Sequence, residues 1–238
     1  MQSGIFYGIG VGPGDPELIT VKGAKILAQC RHIFVPKTRM EKKSTALAIA
    51  KQYLGPKSEI HELVFPMTDD REQLSQHWKE AAGSIAAVIR EGDNACFLTL
   101  GDPLLYSTYI YLLRVLREQV PGIEVATVPG VTSFNAAAAL TEFAVGEGNE
   151  SIHVVPTADN IDSVRETLSS GGTVILMKVG KRLIEILDLL EEFGLMEQGV
   201  FVSRAGMEGE YIEPNLHKLR ELESAASYFS TMLIHTGR

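Results

Sequence analysis

Short apolar segments of strand length alternate with helical patterns along almost the whole chain, and this alternation constrains the fold more than any other feature. Strand patterns fall at 4–11, 32–36, 60–64, 95–100, 123–128, 151–155, 173–178, 199–203, 211–213 and 228–235. Most are separated by segments in which apolar residues recur at three- and four-residue steps. The clearest runs from Asp70 to Arg90, where Leu74, Trp78, Ala81, Ile85 and Val88 mark one face; others cover 44–53, 107–119, 133–141, 161–169 and 181–193. Such alternation predicts a mostly parallel sheet covered by helices. Trp78, at helical spacing, reads as core rather than as a stacking platform. The pair Pro121-Gly122 re-aims the chain after the helix ending near Gln119. A boundary is therefore expected there, with one α/β domain over 1–120, a second over 121–238 and a ligand cleft between them.

In open α/β sheets ligands bind beyond the carboxyl ends of the strands, so the turns that leave those ends carry the functional information. The stretch Thr99-Leu100-Gly101-Asp102-Pro103-Leu104-Leu105-Tyr106-Ser107-Thr108 follows the buried-strand pattern Ala95-Cys96-Phe97-Leu98 and precedes a helical one. It sets a carboxylate, a flexible Gly and a rigid Pro on the sheet edge. Alone, it also reads as an Asp-capped strand-to-helix turn. The opening strand runs into Gly8-Ile9-Gly10-Val11-Gly12-Pro13-Gly14-Asp15-Pro16. Here Asp15 is the expected N-cap, Pro16 the first helical position, and Leu18, Val21, Ala24, Leu27 and Ala28 the apolar face that follows. A dinucleotide fingerprint fails because Pro13 or Asp15 stands where its third Gly belongs, and no Gly-Lys-Ser/Thr follows for a phosphate loop. The loop invites a ligand to the backbone without marking a pyrophosphate.

Three later turns repeat the arrangement. Val128-Pro129-Gly130-Val131-Thr132-Ser133 leads into an alanine-rich helix, where Thr132 and Ser133 either cap it or bond a ligand. Met177-Lys178-Val179-Gly180-Lys181 and Ser203-Arg204-Ala205-Gly206 end two further strands. Strand ends of this kind point to a shared cleft rather than to unrelated turns.

Composition narrows the function classes. The 238 residues are 45% hydrophobic, ample for a buried core, and the net charge of −8 without a basic stripe argues against a nucleic-acid binder. No apolar run approaches the roughly 18 residues of a membrane span and no charged-then-apolar leader opens the chain, so a soluble, cytoplasmic protein is expected. Cys30 and Cys96 sit in apolar surroundings and read as buried thiols, as a reducing compartment allows. The histidines His32, His61, His77, His153, His217 and His235 are scattered with no two at ligand spacing, so no built-in metal site is expected. No Gly-x-Ser-x-Gly elbow is present, and neither cysteine sits in a nucleophile motif. Gly146-Glu147-Gly148-Asn149-Glu150 reads as a mobile acidic loop.

Gly10-Val11-Gly12-Pro13-Gly14-Asp15-Pro16, Gly101-Asp102-Pro103-Leu104-Leu105-Tyr106 and Val128-Pro129-Gly130-Val131-Thr132-Ser133, in this order and spacing, resemble the tetrapyrrole methylases. These are class III S-adenosylmethionine-dependent methyltransferases, and the likeness spans essentially the whole chain. The Gly-Asp-Pro-x-x-Tyr-Ser-Thr form with Val35-Pro36-Lys37 is most similar to the precorrin-2 (cobalt-factor II) C-20 branch, which serves cobalamin synthesis. The resemblance implies two α/β domains, a homodimer, S-adenosyl-L-methionine in the inter-domain cleft and a tetrapyrrole in an adjoining trough. Carried over by position, Pro13 belongs to the loop beneath the trough. Leu100, Gly101, Asp102 and Leu105 line the cofactor, Thr132 and Ser133 meet its methionine or ribose part, and Met177 and Ala205 surround the adenine. Where many relatives have a second Gly before Gly-Asp-Pro, this chain has Leu100.

Methyl transfer from a sulfonium needs alignment and exclusion of water rather than a protein nucleophile. Asp102 is the expected partner of the cofactor's cationic end, with Tyr106 and Ser107 orienting the ring. A ring bearing several carboxylates calls for cations, and Lys37, Arg39, Lys42, Lys43, Lys178, Lys181 and Arg204 are the candidates. Competing readings are a methylase acting at another ring position, diphthine synthase on the same fold, a non-catalytic tetrapyrrole carrier and a nucleotide-dependent α/β enzyme. The failed glycine spacings weigh against the last.

Overall fold

The computed structural model describes residues 3–37, 44–65, 70–156, 160–221 and 228–237. The chain divides into two compact units, Met1–Thr132 and Ser133–Arg238, each built on a five-stranded sheet.

The first unit runs β1 (Ile5–Gly10), α1 (Val21–Gln29), β2 (His32–Lys37), α2 (Thr45–Ala50), β3 (Glu59–Val64), α3 (Arg71–Arg90), β4 (Ala95–Thr99), α4 (Thr108–Gln119) and β5 (Glu124–Val128). Its strands lie in the order β3-β2-β4-β1-β5 and every pairing is parallel. A parallel sheet covered on both faces buries both sides of its strands. Accordingly β4 is buried throughout: Phe97 joins Phe6, Phe34 and the α3–α4 side, while Cys96 and Leu98 join Ile9, Ile33, Val35 and the α1–α2 side. On α3 the expected face is seated through Ala81, Ala82, Ile85, Ala86 and Ile89, with Asp70 accepting from the N–H groups of Glu72 and Gln73 as its cap. Trp78 stacks on Phe65 at 4.3 Å between centroids, a core position as expected. Cys30 and Cys96 are buried and free, and the hydrogen bond with Cys30, together with burial, pushes the Cys96 thiol far up.

Three expectations need correction here. Asp15 caps only a single 3-10 turn, Pro16–Leu18, by accepting from Glu17 N at 2.8 Å, and α1 starts later with Thr20 accepting from Gly23 N at 3.1 Å. The extended residues Ile19 and Thr20 shift the phase, so Ile19, Gly23 and Leu27 face the core while Val21 is 71% exposed and Ala28 is also exposed. The units part at 132/133 rather than 120/121, because β5 pairs with β1 in the first sheet. Pro121-Gly122 is the turn from α4 into that strand.

The second unit comprises α5 (Ser133–Thr141), β6 (Ile152–Pro156), α6 (Ile161–Ser169), β7 (Thr173–Met177), α7 (Leu183–Glu192), β8 (Gly199–Ser203), β9 (Tyr211–Glu213) and β10 (Ser230–His235), in the sheet order β6-β7-β10-β8-β9. Only β6 and β7 pair in parallel; β10 enters antiparallel between β7 and β8, and β9 is antiparallel to β8. The mostly parallel expectation therefore holds for the first sheet alone. Between β8 and β9 no helix carries the chain across, and an antiparallel return is what a short connection permits. Val164, Leu168, Ile186, Leu187 and Leu190 of α6 and α7 pack on Val174, Leu176, Phe201, Met232 and Ile234 of the sheet. Glu150, at the end of the acidic loop, turns inward: its side chain is 16% exposed and lies 3.9 Å from His235 Nδ1.

Glu213, buried on β9, accepts from Asn215 N at 3.0 Å and Tyr211 Oη at 2.8 Å. The Asn215 amide, then the Tyr211 hydroxyl, hold its carboxyl below the usual range. A folded-state pKa below the unfolded one stabilises the chain above about pH 4.3, and that contribution is lost as pH falls through the folded value. Glu213→Gln is expected to cost about 1–2 kcal/mol at pH 7. Urea midpoints should show the gap between the two proteins closing by pH 3; a gap independent of pH would show that the charge plays no part.

Candidate active site

The carboxyl ends of β4, β1 and β5 lie side by side, and the chain leaves β1 for the face of the sheet that carries α1 and leaves β4 for the opposite face, which carries α4. Ligands of open α/β sheets bind beyond such carboxyl ends. The loops leaving them are joined through backbone: Val11 N donates to Thr99 O at 3.0 Å, Gly101 N to Gly12 O at 2.8 Å and Gly12 N to Gly101 O at 3.4 Å. The glycines are there for two reasons. Gly12 and Gly101 adopt φ of +82° and +68°, which side chains resist. Gly10 and Gly130 are instead required by packing: a Cβ on Gly130 would stand 2.1 Å from Gly101 O and 2.8 Å from Gly10 C, and one on Gly10 would stand 2.6 Å from Gly130 N. Beside Gly101 there is room, the nearest described atom to a Cβ there being Val131 O at 3.9 Å.

Asp102 closes this junction. Its Oδ1 accepts from Leu104 N at 2.8 Å and its Oδ2 from Gly130 N at 3.0 Å, so one carboxylate ties the turn after β4 to the turn after β5. Tyr106 follows in the left-handed region at φ +50° and is 47% exposed. Ser107, expected to orient the ring, is buried; it accepts from Tyr109 N at 3.1 Å as the cap of α4 and pairs with Thr99 Oγ1 at 2.7 Å. That hydroxyl is enclosed by its own turn and is removed from the substrate contacts. Tyr109 runs beneath the sheet, bonded to Thr127 Oγ1 at 2.7 Å, and Gly8 leaves space for its ring. Pro13 is buried, while Leu100, Leu105 and Thr132 are half-buried around the junction's backbone.

In the second unit the ends of β7 and β8 mirror each other. Lys178 and Arg204 both take left-handed φ, +60° and +56°, and donate their N–H groups to Ser230 O and Phe229 O, each at 2.8 Å. Among the described residues only four non-glycines have positive φ, and Tyr106, Lys178 and Arg204 are three of them. Such positions cost about 1–3 kcal/mol each and concentrate at functional sites. Lys178 Nζ lies over the Tyr228 ring at 5.2 Å, Arg204 and Lys181 are exposed, Met177 is half-buried and Ala205 buried. Ser133 is the first residue of α5 and half-buried. Lys37 donates to Glu62 Oε2 at 2.7 Å, so its charge is already matched. Arg39, Lys42 and Lys43 lie outside the described residues.

Each α/β unit thus gathers turn residues at strand ends: glycines at the carboxyl edge of the parallel sheet in the first, and left-handed cationic residues at two strand ends of the mixed sheet in the second. The chain belongs to the Tetrapyrrole (Corrin/Porphyrin) Methylases, whose family profile matches residues 6–222, and is a methyltransferase by that membership. It is 35% identical over 235 residues to the cobalt-precorrin-2 C(20)-methyltransferase of Salmonella typhimurium strain LT2, covering 98% of this chain and 97% of the relative. Identity is 34% over 225 residues to a Methanocaldococcus jannaschii protein named "Probable cobalt-precorrin-2 C(20)-methyltransferase", covering 92% of this chain and 94% of the relative. The crystal structure of uroporphyrin-III C-methyl transferase from Thermus thermophilus complexed with S-adenyl homocysteine shares the fold, with a TM-score of 0.68 at 20% identity, over 98% of this chain and 92% of that one.

Gly10, Gly12, Gly101 and Gly130 stand in turns that the sequence marks, yet spacing does not say that three of them touch. Thr99 and Tyr109, which support the junction, carry no signal in the sequence, where each is a lone polar residue in an apolar strand or helix.

Proposed function

We propose that this chain transfers a methyl group from S-adenosyl-L-methionine to C-20 of precorrin-2 or its cobalt form in cobalamin biosynthesis. The observation that carries this reading is the likeness, over nearly the full length, to relatives named for that reaction. Local geometry supports it: Gly101, half-buried at the sheet edge, has open space beside it. When bound, S-adenosyl-L-methionine supplies a sulfonium methyl for in-line displacement: the bond to C-20 forms as the methyl–sulfur bond breaks, and the proton on C-20 then leaves to solvent. Protein groups bind and align. In this reading Pro13, Leu100, Gly101, Leu105, Thr132, Ser133, Met177 and Ala205 contact the cofactor, and Asp102 acts on it by fixing the two turns. Tyr106 orients the ring, and Lys178, Lys181 and Arg204 meet its carboxylates. The protein works as a cytoplasmic homodimer; a monomer by sedimentation would remove that part.

Incubation with the methyl donor and either form of precorrin-2 is expected to add one methyl, placed at C-20 by NMR. S-adenosylhomocysteine binding without methylation of either ring would move the substrate to another position, and absence of binding would overturn the reading. Replacing Lys178 and Lys181 by Met together is expected to raise KM for the ring about tenfold or more while leaving S-adenosylhomocysteine affinity unchanged. Unchanged turnover would remove the carboxylate-bearing substrate.

A further inference from the structure

At the amino-terminal edge of the first sheet, opposite the turns described above, the strand register gathers a second group of chemically capable side chains. His32 opens β2 opposite Glu59, and Phe34 lies opposite His61 on β3, so His32, Glu59 and His61 share one face of adjacent strands. His32 Nδ1 stands 3.1 Å from His61 Nε2 and 3.6 Å from Glu59 Oε2. One ligand atom from each of the three lies within 4.8 Å of the others. Four ligands at about 2.0 Å from a tetrahedral ion are separated by roughly 3.3 Å, so these two spacings bracket the edge of such a site.

The surroundings are those of a metal-binding histidine. The other ring nitrogen of His32, Nε2, lies 3.4 Å from Asp93 Oδ2, a carboxylate placed to accept its proton when Nδ1, facing His61 and Glu59, ligates an ion. A carboxylate behind a ligating imidazole is the usual support of such a ligand. His61 is held by stacking on Phe34 at 4.6 Å between centroids. Arg31 binds Glu59 Oε1 at 2.6 and 3.0 Å and leaves Oε2 toward His32. The His32 side chain is 12% exposed and that of Glu59 47%, so the group is anchored on one side and open to water on the other.

We propose that His32, His61 and Glu59 bind one divalent first-row transition ion of borderline softness, with Asp93 orienting His32 and water completing the shell. Two imidazoles and one carboxylate favour zinc-like ions over magnesium or calcium, which take oxygen ligands. The ion would pin the edge strand β3 to β2.

The test uses the full chain, freed of metal by chelator and titrated with zinc chloride by calorimetry. One zinc per chain is expected, with a rise in melting temperature. Glu59→Gln and His61→Gln should each weaken binding at least tenfold, and Asp93→Asn by about 10–100-fold, although Asp93 is no ligand. His217→Gln, which alters the separate His217–Glu197 pair, should leave it unchanged. X-ray absorption of the zinc-loaded unmodified protein should count two imidazoles, a readout independent of whether the variants fold. Lack of stoichiometric binding, binding unaffected by His61→Gln, or fewer than two imidazoles would overturn the proposal.

Discussion

Gly130→Ala is expected to destabilise the chain by about 3 kcal/mol or more and to abolish methyl transfer. The added methyl would lie 2.1 Å from Gly101 O and within 2.9 Å of Gly10 Cα and C, so it meets backbone on both sides. A flexible side chain could swing away; these carbonyls and α-carbons belong to β1 and to the turn after β4. Relief would require β5 to part from β1 at the edge where the glycine turns meet. Gly122→Ala is the control: its φ is +80° and nothing lies within 4 Å of the new atom. That change should cost about 1 kcal/mol, the left-handed penalty alone. Urea midpoints for the two variants, with activity measured where both are folded, give the comparison. Equal costs would mean that the backbone gives way around the added methyl, and the three-glycine contact would not explain Gly130.

Asp102→Ala is expected to abolish methyl transfer as well and to cost about 2–4 kcal/mol. Read from sequence, Asp102 is a cofactor contact whose loss leaves the fold intact. In the structure both of its oxygens are occupied by backbone, Leu104 N and Gly130 N. Removing them leaves the half-buried Gly130 amide unpaired at a junction built of backbone, while the exposed Leu104 amide turns to water. Asp102→Asn keeps one acceptor and should lie between the parent and the alanine variant in both stability and S-adenosylhomocysteine affinity. If Asp102→Ala moves the urea midpoint by less than the equivalent of about 0.5 kcal/mol, the carboxylate is no tie and the contact reading returns.

Much of the fold was legible because its periodicities are strong and local. Buried β4 reads as an uninterrupted apolar run, α3 repeats its apolar face over twenty residues, and every strand segment expected from the pattern is present in the two sheets. Errors arose where the deciding partner is distant. The seam at Pro121-Gly122 is a strong local turn, but β5 is claimed by β1 across more than a hundred residues. The phase of α1 differs from the expected one because a capped 3-10 turn and a capped helix use the same residue types. Ser107 illustrates the same limit, since a hydroxyl at a strand-to-helix turn serves a cap or a ligand equally well until burial is known.

By itself the sequence determined the class of fold, the turns at the carboxyl edge and the likeness to a methylase family, because each of these is written in residue types and short spacings. Tertiary structure decided which of those residues meet. It brought Gly10, Gly101 and Gly130 into backbone contact, made Asp102 a tie between two turns, and set His32 beside His61, 29 positions away. Those outcomes depend on strand order and register, which follow from how whole faces are buried and not from any short stretch of chain.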